Sequence, residues 1–276
     1  MAESKCPFCL IGNALQVLVI TNASGTFPIM RCDRCETEYS PTSANTVDEL
    51  EVQKHFFDED LYTIANLEKV HQYWRAEAQH IKDLGYTSGK ILDIGCNTGE
   101  FLYCLGDGYQ KFGIEIADVP ADMAEKKGIT IYRKPLEELA LPEHSFDIIT
   151  LYALIEHLSD PRSLVKEIAR ILKPGGIVVI MTGDYQTSKA KMLGSRWHMY
   201  IPPLHQFFFC RKALRLVASE FALEELSYYF SPGGMTYSSN KLMKLAEKAS
   251  LWQFFNLPML RKMPYYDHYY GYFKKK

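Results

Sequence analysis

The sequence predicts an α/β protein: a doubly wound, mostly parallel sheet of seven strands, with a small cysteine-rich subdomain ahead of it. Three observations carry that prediction. From residue 64 onward, short apolar runs alternate with stretches of helical apolar spacing, which argues for strands and helices taking turns in one layered sheet. A glycine turn, Asp93-x-Gly95-x-x-x-Gly99, follows the first of those runs and opens a helix. Two Cys-x2-Cys turns, ending at Cys9 and beginning at Cys32, stand at the front with 22 residues between them.

The 276 residues hold 31 basic and 33 acidic side chains, a net charge of −2, with 47% hydrophobic and 23% charged residues. That balance excludes a wholesale basic nucleic-acid binder and a disordered chain. No run approaches the ~18 apolar residues that span a bilayer, and the start, MAESKCPFCL, lacks a signal peptide's basic-then-apolar layout. The expectation is a cytoplasmic protein in a reducing compartment, where paired cysteines hold metal more often than they form disulfides. The charge is uneven: net −6 over residues 1–60, −4 over 61–183 and +8 over 184–276, where 20 of the 36 aromatics also lie. A basic, aromatic-rich region suits a planar or phosphate-bearing partner, or forms a lid with a solvated lysine tail.

The elements follow in order. Cys6, Cys9, Cys32 and Cys35 supply four thiolates that can converge on a tetrahedral zinc. Between the pairs, Leu15, Val17 and Val19 alternate along one strand, Asn22 to Gly25 turn, and Phe27 to Met30 return, giving a zinc ribbon over 1–40. A redox pair or two disulfides is the competing reading. With four protein ligands such a zinc is closed and structural, and its acidic surroundings repel phosphates, which counts against nucleic acid as a partner. A linker is expected over 41–63. Leu67, Val70, Trp74, Ala78 and Ile81 space a helix over 64–84, ended by Gly85; Tyr62, Tyr73 and Trp74 are aromatics a ligand could touch. Strands are expected at 91–94, 112–116, 129–133, 146–151 and 177–182, separated by helices near 98–105, 119–127 and 160–172. Asp160-Pro161 starts the last of these helices and Pro174-Gly175-Gly176 stops it. Glu115 lies 20 residues after Gly95 at the second strand's tip, where a carboxylate accepts both hydroxyls of a ribose. The dinucleotide fingerprint G-x-G-x-x-G is absent, and Asp93 ahead of the turn suits a ligand with cationic groups.

These residues resemble the class I S-adenosylmethionine-dependent methyltransferases, whose sheet is Rossmann-like. Asp-Ile-Gly-Cys-Asn-Thr-Gly99 is similar to their first motif, and Glu115 stands where their ribose-binding acid does. The resemblance runs on through Leu139 to Asp147, Ile155-Glu-His-Leu-Ser-Asp-Pro161 and Leu172-Lys-Pro-Gly-Gly-Ile-Val-Val-Ile180. It implies S-adenosylmethionine as cofactor, held by Asp93, Gly95, Cys96, Asn97, Gly99, Glu115 and Tyr152. The family often places an Asp before Leu136; Pro135 stands there, so Leu136 and Glu137 are the expected neighbours of the adenine.

Methyl transfer from a sulfonium needs nucleophile, methyl and sulfur held in line and dry, and a base if the acceptor carries a proton. Candidates past the fourth and fifth strands are His157, Asp184, Tyr185, Tyr200 and His205. The stretch Trp197-His-Met-Tyr200-Ile-Pro-Pro-Leu-His205-Gln-Phe-Phe-Phe209 is similar to one in methyltransferases of quinones, polyketides and sugars, and it roofs their site. His205 is therefore the first candidate for acid–base work, with His157 and Tyr200 beside it; a packing role is the alternative for each. Arg211 to Glu220 spaces an amphipathic helix, Leu223 to Phe230 a sixth strand, and Tyr269 to Phe273 a seventh. The domain over 64–276 would carry lid or insertion segments at 184–210 and 231–264. The second segment has a helix near 241–250 and an apolar patch at 251–260 that serves as a lid or a homodimer contact.

The expected function is methyl transfer to a small-molecule acceptor, sugar-linked or phosphate-bearing, in a biosynthetic pathway. The alternatives are a tRNA or rRNA methyltransferase and a non-catalytic S-adenosylmethionine-binding scaffold. The acidic ribbon and the absence of an N-P-P-F/Y tetrad at Leu151-Tyr-Ala-Leu154 count against the RNA reading.

Overall fold

The structure, a computed structural model, describes residues 5–41, 64–231 and 266–276. Tyr62 and the linker from residue 42 on, and residues 232–265 with the expected second insertion, its helix and its apolar patch, lie outside the described residues.

The cysteine-rich hairpin forms as its turn residues require. Strand β1 (Ala14–Asn22) pairs antiparallel with β2 (Gly25–Cys32), and the Asn22 side chain accepts from the Ser24 backbone N–H across the turn. The register shifts between Gln16 and Leu18. The expected alternation holds on either side of this bulge: Leu15, Val17 and Val19 face outward, while Ala14, Ile20, Phe27 and Ile29 are buried. β2 pairs with a two-residue strand β3 (Glu38–Tyr39).

Helix α1 (Ile64–Asp83) lays Val70, Trp74, Ala78 and Ile81 on the main sheet, as their spacing predicts. Glu77 on the same helix is also buried, which requires partners for its carboxylate. The hydroxyls of Tyr152, Tyr229 and Tyr272 all donate to it, tying the helix to three strands.

The sheet elements follow as β4 (Gly89–Ile94), α2 (Glu100–Cys104), β5 (Tyr109–Ile114), α3 (Asp118–Glu125), β6 (Thr130–Tyr132), β7 (Phe146–Tyr152), α4 (Pro161–Ile171) and β8 (Leu172–Gly183). After them come α5 (Ser188–Leu193), β9 (Phe207–Phe208), α6 (Arg211–Glu220), β10 (Leu223–Ser231) and β11 (His268–Lys275). Asp160 caps α4 by accepting from the Ser163 N–H at 2.9 Å, with Pro161 in the first turn. Its Leu164, Val165 and Ile168 pack with Leu214 and Val217 of α6 on one face of the sheet; α1 and α2 cover the other. Covered on both faces, β4 and β8 read as continuous apolar runs instead of alternating ones.

The main sheet has the order β10-β11-β8-β7-β4-β5-β6, with β11 antiparallel to both neighbours and β4 to β8 parallel throughout. The chain winds one way from β4 through β5 and β6, then returns to place β7 and β8 on the other side. In doubly wound sheets this reversal opens a crevice at the strands' carboxyl ends. The expected strands appear with shifted ends; β8 starts at Leu172, five residues early, because Leu172 pairs with Phe146 before the register shift.

One connection is not in the sequence pattern. β9 pairs antiparallel with β3, Glu38 against Phe208 and Tyr39 against Phe207, so the hairpin's sheet has the order β1-β2-β3-β9. The roof segment contributes a strand to the cysteine-rich sheet.

Candidate active site and cysteine cluster

At the crevice the backbone leaves β4 through three positive-φ residues: Gly95 (74°), Asn97 (47°) and Gly99 (76°). At Gly99 a side chain is excluded twice over, since its Cβ would also lie 2.4 Å from Ile129 Cδ1. Asn97 tolerates the left-handed region by bonding locally, its Oδ1 accepting from the Thr98 N–H at 2.7 Å. Glu115, one residue past β5, fixes this turn: one carboxylate oxygen accepts from the Asn97 N–H at 3.0 Å and the other from the Ala117 N–H at 2.8 Å. Each oxygen keeps a further acceptor site, as a ribose diol needs. Burial pushes the Glu115 carboxyl above its ordinary range.

Asp93 is 3% exposed and accepts from Thr150 Oγ1 at 2.6 Å. Burial, with the Glu115 charge adding to it, outweighs the Thr150 bond and pushes its carboxyl up to about 7. An acid so poised ionises when a cation arrives.

A cavity of about 520 Å³ runs from this turn to the roof segment. Of the residues the resemblance picked, Asp93, Gly95, Cys96, Asn97, Glu115 and Tyr152 line it. Gly99 shapes the turn from behind. Leu136 and Glu137 are not brought to it: Leu136 packs in the core and Glu137 is exposed to solvent, on the 3-10 turn after β6. Trp74, one of the aromatics a ligand could touch, lines it, and so do Glu100 and Phe101, which were not singled out as ligand contacts. Trp74 has helical core spacing, and its ring also lies 4.8 Å from Tyr152. Glu100 is pinned by His71 at 2.6 Å and Lys127 at 3.0 Å, partners from elements that no sequence pattern connects.

The far end of the cavity is lined by Glu156, His157, His198, Met199, His205 and His268. The His157 Nδ1–H donates to the Leu204 carbonyl at 3.0 Å and the His205 Nδ1–H to the Met199 carbonyl at 2.7 Å; the two rings lie 4.6 Å apart. Burial, and then the neighbouring His157, hold His205 well below the ordinary imidazole range, so it is neutral with its lone pair on Nε2. The roof candidates Tyr200, Tyr185 and Asp184 stand elsewhere. The Tyr200 hydroxyl donates to buried Glu38 at 2.5 Å and the Tyr185 hydroxyl to the Glu36 carbonyl at 2.6 Å, both beside a separate cavity of about 390 Å³ against the hairpin. Asp184 accepts from the Gln186 and Arg211 N–H groups; burial raises it to about 6. The sequence lacks any signal for the two tyrosines because the hairpin that captures them is more than 140 residues away in the chain.

A family model described as a methyltransferase domain matches residues 67–228. The chain belongs to that family. Demethylmenaquinone methyltransferase of Bacillus mycoides is 27% identical over 187 residues, covering 60% of this chain and 77% of that protein. Among solved structures, an S-adenosylmethionine-dependent methyltransferase of Thermotoga maritima superposes with a TM-score of 0.58 at 20% identity, covering 83% of this chain and all of that one. Another from Archaeoglobus fulgidus gives 0.55 at 19%, over 78% of this chain and all of that one. These structural likenesses show the fold. Family, relatives and cavity agree that the protein is an S-adenosylmethionine-dependent methyltransferase.

Ahead of the methyltransferase core, Cys6, Cys9, Cys32 and Cys35 are fully buried, and their Sγ atoms all lie within 4.8 Å of one another. The Cys6–Cys35 and Cys9–Cys32 sulfurs are 3.7 and 3.6 Å apart. Four sulfurs about 2.3 Å from a tetrahedral metal are spaced by about 3.8 Å, so the set fits zinc with little adjustment. Backbone N–H groups of Gly12, Arg34 and Thr37 point at the sulfurs, and a Cβ at Gly12 would lie 2.2 Å from Cys32 Sγ. In the methyltransferase's basic last third, Lys189 pairs with Asp267, Lys212 with Glu36, Arg211 and Arg215 with Glu225, and Lys276 with Glu224. These five cations of the last third, all among the described residues, are held in ion pairs within the fold, and only Lys212 takes its acid from outside the segment that carries the +8.

Proposed function

We propose that the methyltransferase acts on a small-molecule acceptor bound between the glycine turn and the roof segment, with His205 and His157 at the acceptor end. The observation that carries this reading is the continuous cavity, acidic at the Asp93–Glu115 end and imidazole-lined at the other. S-adenosylmethionine, when bound, supplies an activated methyl group on a sulfonium. Glu115 would hold the ribose and Asp93 would ionise toward the amino-acid cation. Trp74, Phe101 and Met199 exclude water from the space between the two ends. His205, neutral and oriented by the Met199 carbonyl, is ready to take a proton from an acceptor hydroxyl at Nε2.

The demethylmenaquinone methyltransferases, and the quinone-, polyketide- and sugar-modifying enzymes with a similar roof, suggest an oxygen-bearing ring as acceptor. A sugar-linked or phosphate-bearing acceptor stays within the proposal, with the His198 and His268 imidazoles as hydrogen-bonding partners at that end of the cavity. Cys6, Cys9, Cys32 and Cys35 are proposed to hold a structural zinc, supported by their spacing. Incubation with methyl-labelled S-adenosylmethionine and fractionated metabolite and RNA pools tests the reading. Label in a small-molecule fraction supports it; label only in RNA, or cofactor binding without turnover on any pool, overturns it.

A further inference from the structure

We infer that Glu156, His157 and His205 form a second metal site, inside the cavity and distinct from the cysteine cluster, for a divalent transition-metal cation such as Zn²⁺, Co²⁺ or Fe²⁺. All three side chains are buried, come from the turn after β7 and from the roof, and bring one ligand atom each to within 4.8 Å of the others. Two imidazoles and one carboxylate on one side of an open cavity are a donor set that binds these ions and leaves coordination positions vacant.

Two further features point the same way. Glu156 is 1% exposed, and its Oε2 accepts from Thr182 Oγ1 at 2.9 Å while its Oε1, equally buried, has no hydrogen-bond partner among the described residues. A buried carboxylate oxygen without a partner is costly, and a cation removes that cost. Each imidazole also donates its Nδ1–H to a backbone carbonyl, at 3.0 and 2.7 Å, the outer hydrogen bond that orients metal-bound histidines and fixes their tautomer. The ligand atoms need only close toward the ~3–3.5 Å spacing that bonds of about 2.1 Å impose. A neighbouring trio, His198, Asp267 and His268, lacks this character: Asp267 is already engaged by Lys189, Trp197, His198 and His268.

Binding of the ion does not depend on the proposed methyl transfer; its use does. There, the ion would occupy the His205 Nε2 otherwise read as the base and would take over its task, an acceptor hydroxyl on a vacant position passing its proton to solvent.

The test is a Co²⁺ titration of the full chain, without S-adenosylmethionine, after the cysteine cluster has been filled with zinc. The expected result is one further equivalent per chain whose spectrum shows d–d bands without sulfur-to-cobalt charge transfer. Glu156→Gln and His205→Ala should each weaken that equivalent by at least about a hundredfold, and Thr182→Val, which removes only an outer hydrogen bond, by roughly tenfold. Retained S-adenosylmethionine binding shows the variants are folded. No further equivalent, or one unchanged by Glu156→Gln, His205→Ala and Thr182→Val, overturns the site. Loss of that equivalent in Asp267→Asn alone also overturns it, by moving the ion to the neighbouring trio. Methyl transfer that fails while the second equivalent binds removes the proposed function and leaves the metal site standing.

Discussion

Tyr39 of the cysteine-rich sheet pairs with Phe207 of the roof, two residues beyond His205, and their rings lie 6.0 Å apart. The residue between, Gln206, accepts from the Ser40 N–H at 3.0 Å through its carbonyl and donates its own N–H to the Glu156 carbonyl at 2.8 Å. A short chain of backbone bonds thus joins the hairpin to both sides of the acceptor end.

Removing metal from the four cysteines should therefore disturb the roof as well as the hairpin. A structural zinc supplies much of the folding free energy of a unit this small. Chelation, or Cys32→Ser, is expected to lower turnover at least tenfold while S-adenosylmethionine affinity changes by less than about threefold, because Asp93 and Glu115 lie on the main sheet. Metal content, circular dichroism and cofactor titration on one sample check this.

The pH dependence follows from Asp93. Its folded carboxyl titrates near 7, raised from an ordinary 3.8, so the folded chain keeps a proton that the unfolded chain releases. Stability from this group is fully present below the unfolded value and is lost as pH rises toward about 7. Cofactor binding that favours the ionised acid must expel that proton, so affinity should climb by up to about tenfold per unit below pH 7 and level off above it. Asp93→Asn should flatten the profile. Titration calorimetry in buffers of different ionisation enthalpy reads the proton directly.

Tyr200 and His205 should separate cleanly. Tyr200→Phe removes a hydroxyl from Glu38, which is 1% exposed and otherwise held by Arg31 at 2.8 Å, so it should cost about 1–3 kcal/mol of stability with turnover nearly intact. His205→Ala should cut turnover about 10²–10⁴-fold with cofactor affinity unchanged. Thermal melts and steady-state kinetics on the pair decide it.

The sequence made the sheet legible because its strands are buried on both faces and its turns carry glycine, proline and a capping Asp at fixed places. The glycine turn proposed to hold the cofactor was legible because Asp93, Gly95, Asn97 and Glu115 lie in two short local segments, which the structure brings together at one cavity. What stayed hidden depends on distant pairing. Phe207 and Phe208 look like a greasy roof until β3 is beside them, Tyr200 looks catalytic until Glu38 captures it, and Glu77 looks like a polar helix position until three tyrosine hydroxyls converge on it. Charge counting likewise gives no partners: Lys189, Arg211 and Lys212 find their acids only through the fold.

The central claim is that the turn after β4 and the acid after β5 form the cofactor site. Equilibrium binding of S-adenosylmethionine to the wild-type chain and to Glu115→Ala tests it most directly. Loss of a carboxylate that braces Asn97 and receives the ribose should weaken binding by about 2 kcal/mol, roughly thirtyfold, with the fold retained. Equal affinity in the two proteins would contradict the account.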